Sequence, residues 1–362
     1  MHMADALVSP AVGLAMGAVS AAAIGVSAAK VKKYDLAEKR IPVIGVAGAV
    51  VFAAQMINFT IPGTGSSGHI GGGMLLAGLL GGAPAFLSIS AVLIIQCLFF
   101  ADGGLLALGC NIFNMGVVPC LIIYPLVFKP LIKNGVNNRR LTTASIVSAM
   151  AGLELGAFCV VLQTRLSGIA ELPFGVFTAL MLPIHLAIGL VEGAVTAAVL
   201  CFIYKMRPEI LESAQAGSRN GWTPTKKGVI IAAAIAVVIG GALSLLVSSN
   251  PDGLEWAIER AEQRTAASAG SPQGLEPEVE PTKPAAGQEA SDGESDAISA
   301  GAADIQEKTA VLPDYAFASN PDSAAGTSVS GIIGAAATFA LAGAAGLIIT
   351  KAKKTRKAGA DA

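Results

Sequence analysis

Charge is scarce in this 362-residue chain: Asp, Glu, Lys and Arg together make up only 14% and aromatics 5%. A soluble two-domain protein needs a far more polar surface, so that class is excluded. There are five cysteines, Cys97, Cys110, Cys120, Cys159 and Cys201, all in or at the ends of apolar runs, which excludes a secreted disulfide scaffold and reads them as small core hydrophobes. No G-x-x-x-x-G-K-[ST] occurs, so any ATP-driven step belongs to another chain. Neither H-E-x-x-H nor a serine elbow is present, which leaves only His185 and Cys159 for an intramembrane enzyme and no catalytic constellation around them. A formal net charge of -1 gives no reason to expect a nucleic-acid partner.

What is present is apolar length. Hydrophobic residues are 53%, glycines number 42 and the mean hydropathy is +0.65. Runs of about 20 apolar residues, each long enough to cross a ~30 Å hydrocarbon core as a helix, recur along the chain. They predict an all-α, multi-pass protein surrounded by lipid, with helices over 11–29, 42–60, 69–83, 84–101, 104–128, 141–163, 174–204, 229–248 and 329–350. About 19 of the 24 Lys and Arg fall after alternate spans: Lys30 to Arg40, Lys129 to Arg140, Lys205 to Lys227 and Lys351 to Lys357. The positive-inside rule puts these in the cytoplasm, with the N-terminus outside, the C-terminus inside and about nine crossings. Parity then requires 69–83 and 84–101 both to cross or both to be re-entrant. Residues 1–29 are expected to stay rather than leave as a signal peptide, because the only charge before Lys30 is Asp5. Between the last two spans, 251–328 carries fifteen acidic against four basic residues, and 270–305 is expected to be a disordered linker.

Gly63-Thr64-Gly65-Ser66-Ser67-Gly68 fits G-x-G-x-x-G, but it joins two apolar spans rather than a strand and a helix. It reads as a glycine-rich turn delivering His69 to the mouth of the next span. Polar groups inside spans cost roughly 3 kcal/mol each at the bilayer centre, and Gln55, Gln96, Asn111, Asn114, Glu154, His185 and Glu192 are that set. His185, Gly189, Glu192 and Gly193 share one helix face, which suits helix packing and alternatively a proton or ion path. The chain starts Met1-His2. A free α-amine, the amide nitrogen of residue two and its imidazole close two fused chelate rings around a metal, and a fourth nitrogen completes the tetragonal geometry that Ni(II) and Cu(II) prefer. His69 is the candidate for that fourth place. Bulky His2 should also block removal of Met1. The amine (ordinary pKa ~8), the imidazoles (~6.5) and the amide coordinate deprotonated, so affinity is expected to fall with pH through that range.

Met1 to Pro10, Phe52 to Phe59, Ser67-Gly68-His69, Phe100-Ala101-Asp102-Gly103-Gly104-Leu105, Asn111-Ile112-Phe113-Asn114-Met115 and His185 to Gly193 together resemble the CbiM/NikM family over about residues 1–210. These are the metal-binding membrane subunits (S components) of energy-coupling-factor transporters for nickel and cobalt. Asn250-Pro251-Asp252-Gly253-Leu254-Glu255 resembles the PDGLE signature of a two-helix companion, here fused. The family's usual Leu-Leu-Gly-Gly after the histidine reads Ile70-Gly71-Gly72-Gly73, which loosens the start of the third helix.

The resemblance implies a metal-binding bundle over 1–210 with about seven helices, a cytoplasmic linker over 211–228 and a two-helix module over 229–350. In that module 251–328 is an extracytoplasmic acidic loop, and 351–362 is a basic tail. It implies uptake of Ni(II) or Co(II) as cargo, nickel favoured, with no catalysis by this chain and no organic cofactor. A transmembrane coupling (T) subunit and cytoplasmic ATPases in a bacterial or archaeal cytoplasmic membrane are the implied partners. Met1, His2 and His69 are the expected ligands, and Gln55, Asn58, Ser67, Asn111, Asn114, His185 and Glu192 are expected around them or as polar bundle contacts. The two module helices show no evident ligands, so deletion beyond about residue 225 is expected to leave metal binding nearly intact. The competing class is a secondary cation transporter using Glu154, His185 and Glu192.

Overall fold

The structure is a computed structural model and describes residues 1–33, 41–211, 226–243, 248, 250–268, 292–317, 319–320 and 323–358. It is mostly helical. The helices are α1 (Pro10–Lys33), α2 (Ile41–Gln55), α3 (Gly73–Leu80), α4 (Gly82–Phe100), α5 (Leu108–Ile132), α6 (Asn138–Ser167), α7 (Phe174–Met206), α8 (Lys226–Gly241), α9 (Gly253–Ser268), α10 (Asp292–Thr309) and α11 (Ala324–Ala358). Among the described residues, α1, α4, α5, α6, α7 and α11 are long and apolar enough to cross a membrane, while α2 and α8 are shorter apolar helices.

The third expected span is corrected. Residues 69–72 are not helical, and α3 has eight residues. The run Ile70-Gly71-Gly72-Gly73 explains this, because glycine is a poor helix former and Gly72 takes a left-handed φ of 75° with Val51 packed against it. The chain still reverses there. Gln96 near the end of α4 donates to Gln55 at the end of α2 (3.0 Å), and Ser88 donates to the Ile44 carbonyl near their starts (3.0 Å), so α2 and α4 run parallel. Residues 56–81 must therefore bring the chain back. Three non-helical residues before Gly72 and two helical turns span roughly 20 Å, enough for most of the hydrocarbon thickness. At the top of this return a two-stranded hairpin, β1 (Phe59–Ile61) and β2 (Ser66–Gly68), pairs Phe59 with Gly68 and Ile61 with Ser66. Gly63 and Gly65 turn it at φ 78° and 76°, which accounts for the glycine-rich motif.

Helix α5 is a π-helix over Phe113–Phe128, with Pro119 and Pro125 inside. Each proline lacks an N–H and crowds the carbonyl four residues back, and the wider turn relieves both. Its start crosses α1 closely: a Cβ on Gly109 would lie 2.3 Å from the Gly17 nitrogen, and Ser20 donates to the Gly109 carbonyl at 2.6 Å. Helices α6 and α7 pack along their length. Asn137 caps α6 by accepting from the Arg140 N–H, and Gly168 ends it in the left-handed conformation. On α7 the glycine face meets backbone, since a Cβ on Gly189 or Gly193 would sit 2.9 Å from Met150 Cα or 2.6 Å from Ile146 Cα. The opposite face leaves Leu186, Leu190, Val195 and Phe202 exposed, as a lipid-facing helix does.

Helices α8 and α11 pack on each other and on α2, with Gly240 and Gly331 in backbone contact. The expectation of a disordered 270–305 is corrected over 292–305, which lies in α10; residues 269–291 fall outside the described residues, as do 212–225 of the expected linker. Gln306 of α10 donates to the carbonyls of Cys97 (3.1 Å) and Gly103 (2.7 Å), and Leu312 N–H donates to Phe99 O (3.1 Å), so the acidic stretch folds back onto the end of α4.

Gly193→Val places a branched side chain against the α6 backbone and is expected to destabilise the bundle by about 1–3 kcal/mol, the usual range for overpacking. Thermal unfolding in detergent should show a lowered Tm, with Gly175→Val, which has open space around it, near the parent.

Candidate functional site

The chain's first eight residues are folded into the bundle rather than left in solvent: Met1, Met3, Leu7 and Val8 are buried. A segment with no regular partner must satisfy its backbone elsewhere. Asn111 on α5 does this as a strand would, accepting from Met3 N–H (2.8 Å) and donating to Met3 O (3.1 Å), while Gly104 N–H donates to the same carbonyl. Asn114 forms a reciprocal amide pair with Gln163 (2.7 and 3.1 Å) and touches the Met3 sulfur. Asp5 accepts from Ala107 N–H at 2.9 Å, and a Cβ on Gly104 would collide with the Asp5 carboxylate, so the Asp102-Gly103-Gly104 turn is shaped to let the N-terminal segment pass.

This anchoring brings Met1, His2 and His69 together. The His2 and His69 rings stack with centroids 5.4 Å apart and 21° between planes. His69 donates from Nδ1 to its neighbour Ile70 O (3.1 Å), which leaves Nε2 with a free lone pair. The Met1 amine pairs with Asp252 at 3.1 Å, and His2 Nδ1 lies 3.3 Å from Asp102 Oδ1. On its other side the His2 ring donates from Nε2 to Gln96 Oε1 at 3.2 Å. Gln96 is held by Gln55, and Gln55 donates to Gly71 O at 2.8 Å. Glu192 accepts from Gly71 N–H (2.7 Å) and Gly72 N–H (3.1 Å), so both its oxygens fix the segment that follows His69.

His185 donates from Nδ1 to Met181 O (2.8 Å), and its buried Nε2 has no hydrogen-bond partner among the described residues. It lines a small cavity of about 20 Å³ with Met1, His69, Leu153, Asp252 and Gly253. Gly253 eases this approach, since a Cβ there would be 3.0 Å from Ile188 Cδ1 and 3.3 Å from His185 Cε1. Ser67 serves the hairpin: its N–H and hydroxyl donate to Pro251 O (2.7 Å) and Asn250 O (2.8 Å). Asn58 joins through its carbonyl, which accepts from Ser248 N–H. Glu154 is not among the cavity-lining residues, and its buried Oε1 has no hydrogen-bond partner among the described residues. Among the described residues no three His, Cys, Asp or Glu side chains gather as a metal cluster.

Three groups escaped the sequence reading. Gln96 was recognisable only as an intramembrane polar residue, and Asp102 as part of a motif without a role. Asp252 lies in the C-terminal module, outside the two helices read as lacking ligands, and pairs with the Met1 amine. It is the N-cap of α9 in a capping box: its Oδ1 accepts from Leu254 N–H (2.8 Å) and Glu255 N–H (2.9 Å), and Glu255 accepts from Asp252 N–H (3.1 Å). The spacing Asp252-x-x-Glu255 carries that signal, but only the fold shows Oδ2 reaching Met1.

Burial pushes the His69 imidazole down to about 4, assisted by the positive amine and His2, and burial likewise lowers His2. Both rings are thus available as neutral ligands at neutral pH. Burial opposes the charge on Asp252, yet the amine, the Glu255 N–H and His69 outweigh it and hold the carboxyl well below its usual range.

Residues 2–210 match the family described as cobalt uptake substrate-specific transmembrane region (CbiM), and 226–271 and 265–351 match the PDGLE domain. A metal transport protein of Haloquadratum walsbyi is 36% identical over 213 residues, covering 58% of this chain and 93% of that one. The fused nickel transport proteins NikMN of Archaeoglobus fulgidus and Rhodobacter capsulatus are 32% and 29% identical over 241 and 291 residues. These alignments cover 66% and 76% of this chain, and 75% and 82% of the relatives. A crystal structure of a transition metal transporter aligns with TM-score 0.51 and 28% identity over 58% of this chain and 95% of that chain.

The His69 shift has a sign that can be checked. Its folded pKa of about 4 lies below the ordinary ~6.5, so between these values the unfolded chain binds more protons and stability falls as pH falls. Metal-free protein should lose thermal stability between pH 6.5 and 4, and His69→Gln should show a shallower loss over that window. Equal slopes would mean that His69 is not buried as a neutral ring.

Proposed function

Because this chain belongs to the CbiM family and carries a fused PDGLE domain, we propose that it captures Ni(II) or Co(II) through the Met1 amine, the His2 amide nitrogen and Nδ1, and His69 Nε2. It is a membrane component of nickel/cobalt transport. The observation that carries the site is the stacking of His2 on His69 beside the buried amine, at the start of a segment that Asn111 pins through the Met3 backbone. Amine, amide and Nδ1 close a five- and a six-membered ring, and His69 Nε2 supplies the fourth in-plane nitrogen, a set that favours nickel by ligand type. In the metal-free chain the amine is paired with Asp252 and Nδ1 faces Asp102. Capture exchanges these partners for the cation and releases protons, chiefly from amine and amide, since the lowered imidazoles hold few at neutral pH.

The bundle over 1–210 binds cargo, and 229–350 docks on its outer end through Asp252. The N-terminus lies outside and the C-terminus inside a bacterial or archaeal cytoplasmic membrane, with nine passages if 69–80 counts as one. Energy comes from a transmembrane coupling subunit and cytoplasmic ATPases, because this chain has no phosphate-binding loop. Glu192 supports this over a secondary transporter, since two backbone N–H groups already occupy its carboxylate.

His2→Gln keeps residue two bulky, so that Met1 stays, but removes the imidazole from the chelate. Calorimetric Ni(II) binding should be nearly abolished by that substitution and by His69→Ala, and reduced far less by His185→Ala. Parent-like binding by His2→Gln would remove the N-terminal chelate and shift attention to His185.

In cells also expressing the coupling subunit and ATPases, metal uptake should require ATP. A membrane-impermeant thiol reagent should reach a cysteine at Asp304 from outside and one at Lys133 only after permeabilisation. ATP-independent accumulation by the single chain, or the reverse labelling, contradicts the respective assignment.

A further inference from the structure

An imidazole that gives one nitrogen to a metal carries its hydrogen on the other, and the acceptor placed there decides which nitrogen is left. For His69 that acceptor is the Ile70 carbonyl, which cannot reverse its role. For His2 there are two acceptors, Asp102 Oδ1 3.3 Å from Nδ1 and Gln96 Oε1 3.2 Å from Nε2; once a cation takes the Nδ1 side, Gln96 is the one left for the ring hydrogen. A side-chain amide both donates and accepts and could face either way. Something else must set its direction.

The structure contains that something two residues beyond His69. The Gly71 carbonyl accepts from Gln55 Nε2 at 2.8 Å, and a carbonyl can only accept. Gln55 therefore turns its Oε1 to Gln96, whose Nε2 donates to it at 3.0 Å. Gln96 is then obliged to present its own Oε1 to the ring. Gly71 is itself fixed through its N–H on Glu192. Gln55, Gln96 and Glu192 are 4%, 1% and 2% exposed, so no bulk water stands by to replace a link.

We infer that Gln55 and Gln96 are positioning residues: they transmit the fixed polarity of the Gly71 carbonyl to His2, keeping the ring hydrogen on Nε2 and leaving Nδ1 for the cation. Only Nδ1 closes a six-membered ring with the residue's own amide nitrogen; Nε2 is too remote to do so. On the Nδ1 side stands Asp102 Oδ1 at 3.3 Å, an anionic side that attracts a divalent cation. Both ligand imidazoles are thereby ordered by one strand of chain, His69 directly at Ile70 and His2 through two amides from Gly71. The inference rests on the four-nitrogen reading of the site.

The experiment uses the full chain in detergent, labelled with 15N-histidine and loaded with Ni(II), which in square-planar nitrogen coordination is diamagnetic and suits NMR. The chain has three histidines, so the His2 ring can be assigned. Its hydrogen is expected on Nε2, bonded to Gln96; a hydrogen on Nδ1 means the ring does not chelate and removes the underlying site, while an Nε2 hydrogen whose chemical shift is unchanged in Gln96→Leu overturns the inference. Gln96→Leu, close in shape but unable to accept, should weaken Ni(II) binding roughly 10- to 100-fold, the usual effect of losing such a partner. Gln96→Glu keeps the acceptor and, as the neutral acid, a donor toward Gln55, and should bind near the parent. A purely structural glutamine predicts the opposite order, with leucine tolerated and a buried acid harmful. Should Gln96→Leu fail to fold, Gln55→Leu, one amide further from the ring, should weaken binding in the same direction by less; no loss there also overturns the inference. Failure of the underlying site is distinct: His2→Gln would then be harmless, whereas failure of the amide relay alone leaves His2→Gln damaging and Gln96→Leu silent.

Discussion

A charged amine cannot enter the interior of a protein alone, and most of this structure follows from the need to bring one there. An isolated ammonium in a low-dielectric site costs several kcal/mol after relaxation, which a paired carboxylate with further hydrogen bonds can offset. Asp252 is that partner, and it lies 251 residues away in sequence. Bringing it to Met1 requires α9 over the hairpin, with Trp256 Nε1 donating to Thr64 O and Ser67 holding Pro251 and Asn250. The amine thus specifies where the C-terminal module sits. The same carboxylate begins α9, one oxygen capping the helix and the other holding the chain start, so helix initiation and charge neutralisation are a single requirement.

Glycine is the second material on which the site depends. Gly104 lets Asp5 pass, Gly72 turns the backbone after His69, and Gly253 lets the module approach His185. Each lies where a neighbouring side chain or backbone comes so close that a Cβ would crowd it. That spends stability on access, because the run Ile70-Gly71-Gly72-Gly73 gives up two helical turns that an ordinary span would have. What it gains is exposed N–H and C=O groups at Gly71 and Gly72, used by Glu192 and Gln55.

The sequence displayed the long apolar helices and the grouping of Met1 and His2, because apolar run length and chelate ring size are local properties. The proximity of His69 followed from counting passages, a global property that still reduces to parity. It did not display the extended 69–72 path, where a hydrophobic window averages over glycine, nor α10, whose acidic, small-residue composition looks unfolded until Gln306 and Leu312 meet α4. Asp102, Gln96 and Asp252 were visible as residue types only. Their roles depend on distances between segments far apart in the chain, which no periodicity encodes.

Covalent continuity between the bundle and the module has a consequence for how the site behaves at low abundance. If Asp252 stood on a separate polypeptide, the fraction of sites with a neutralised amine would follow the two chains' surface densities in the bilayer and fall on dilution. Carried on the same chain, the encounter is intramolecular and is governed by an effective concentration set by the tether. Every copy therefore supplies its own counter-ion in a fixed one-to-one ratio, however few copies the membrane holds.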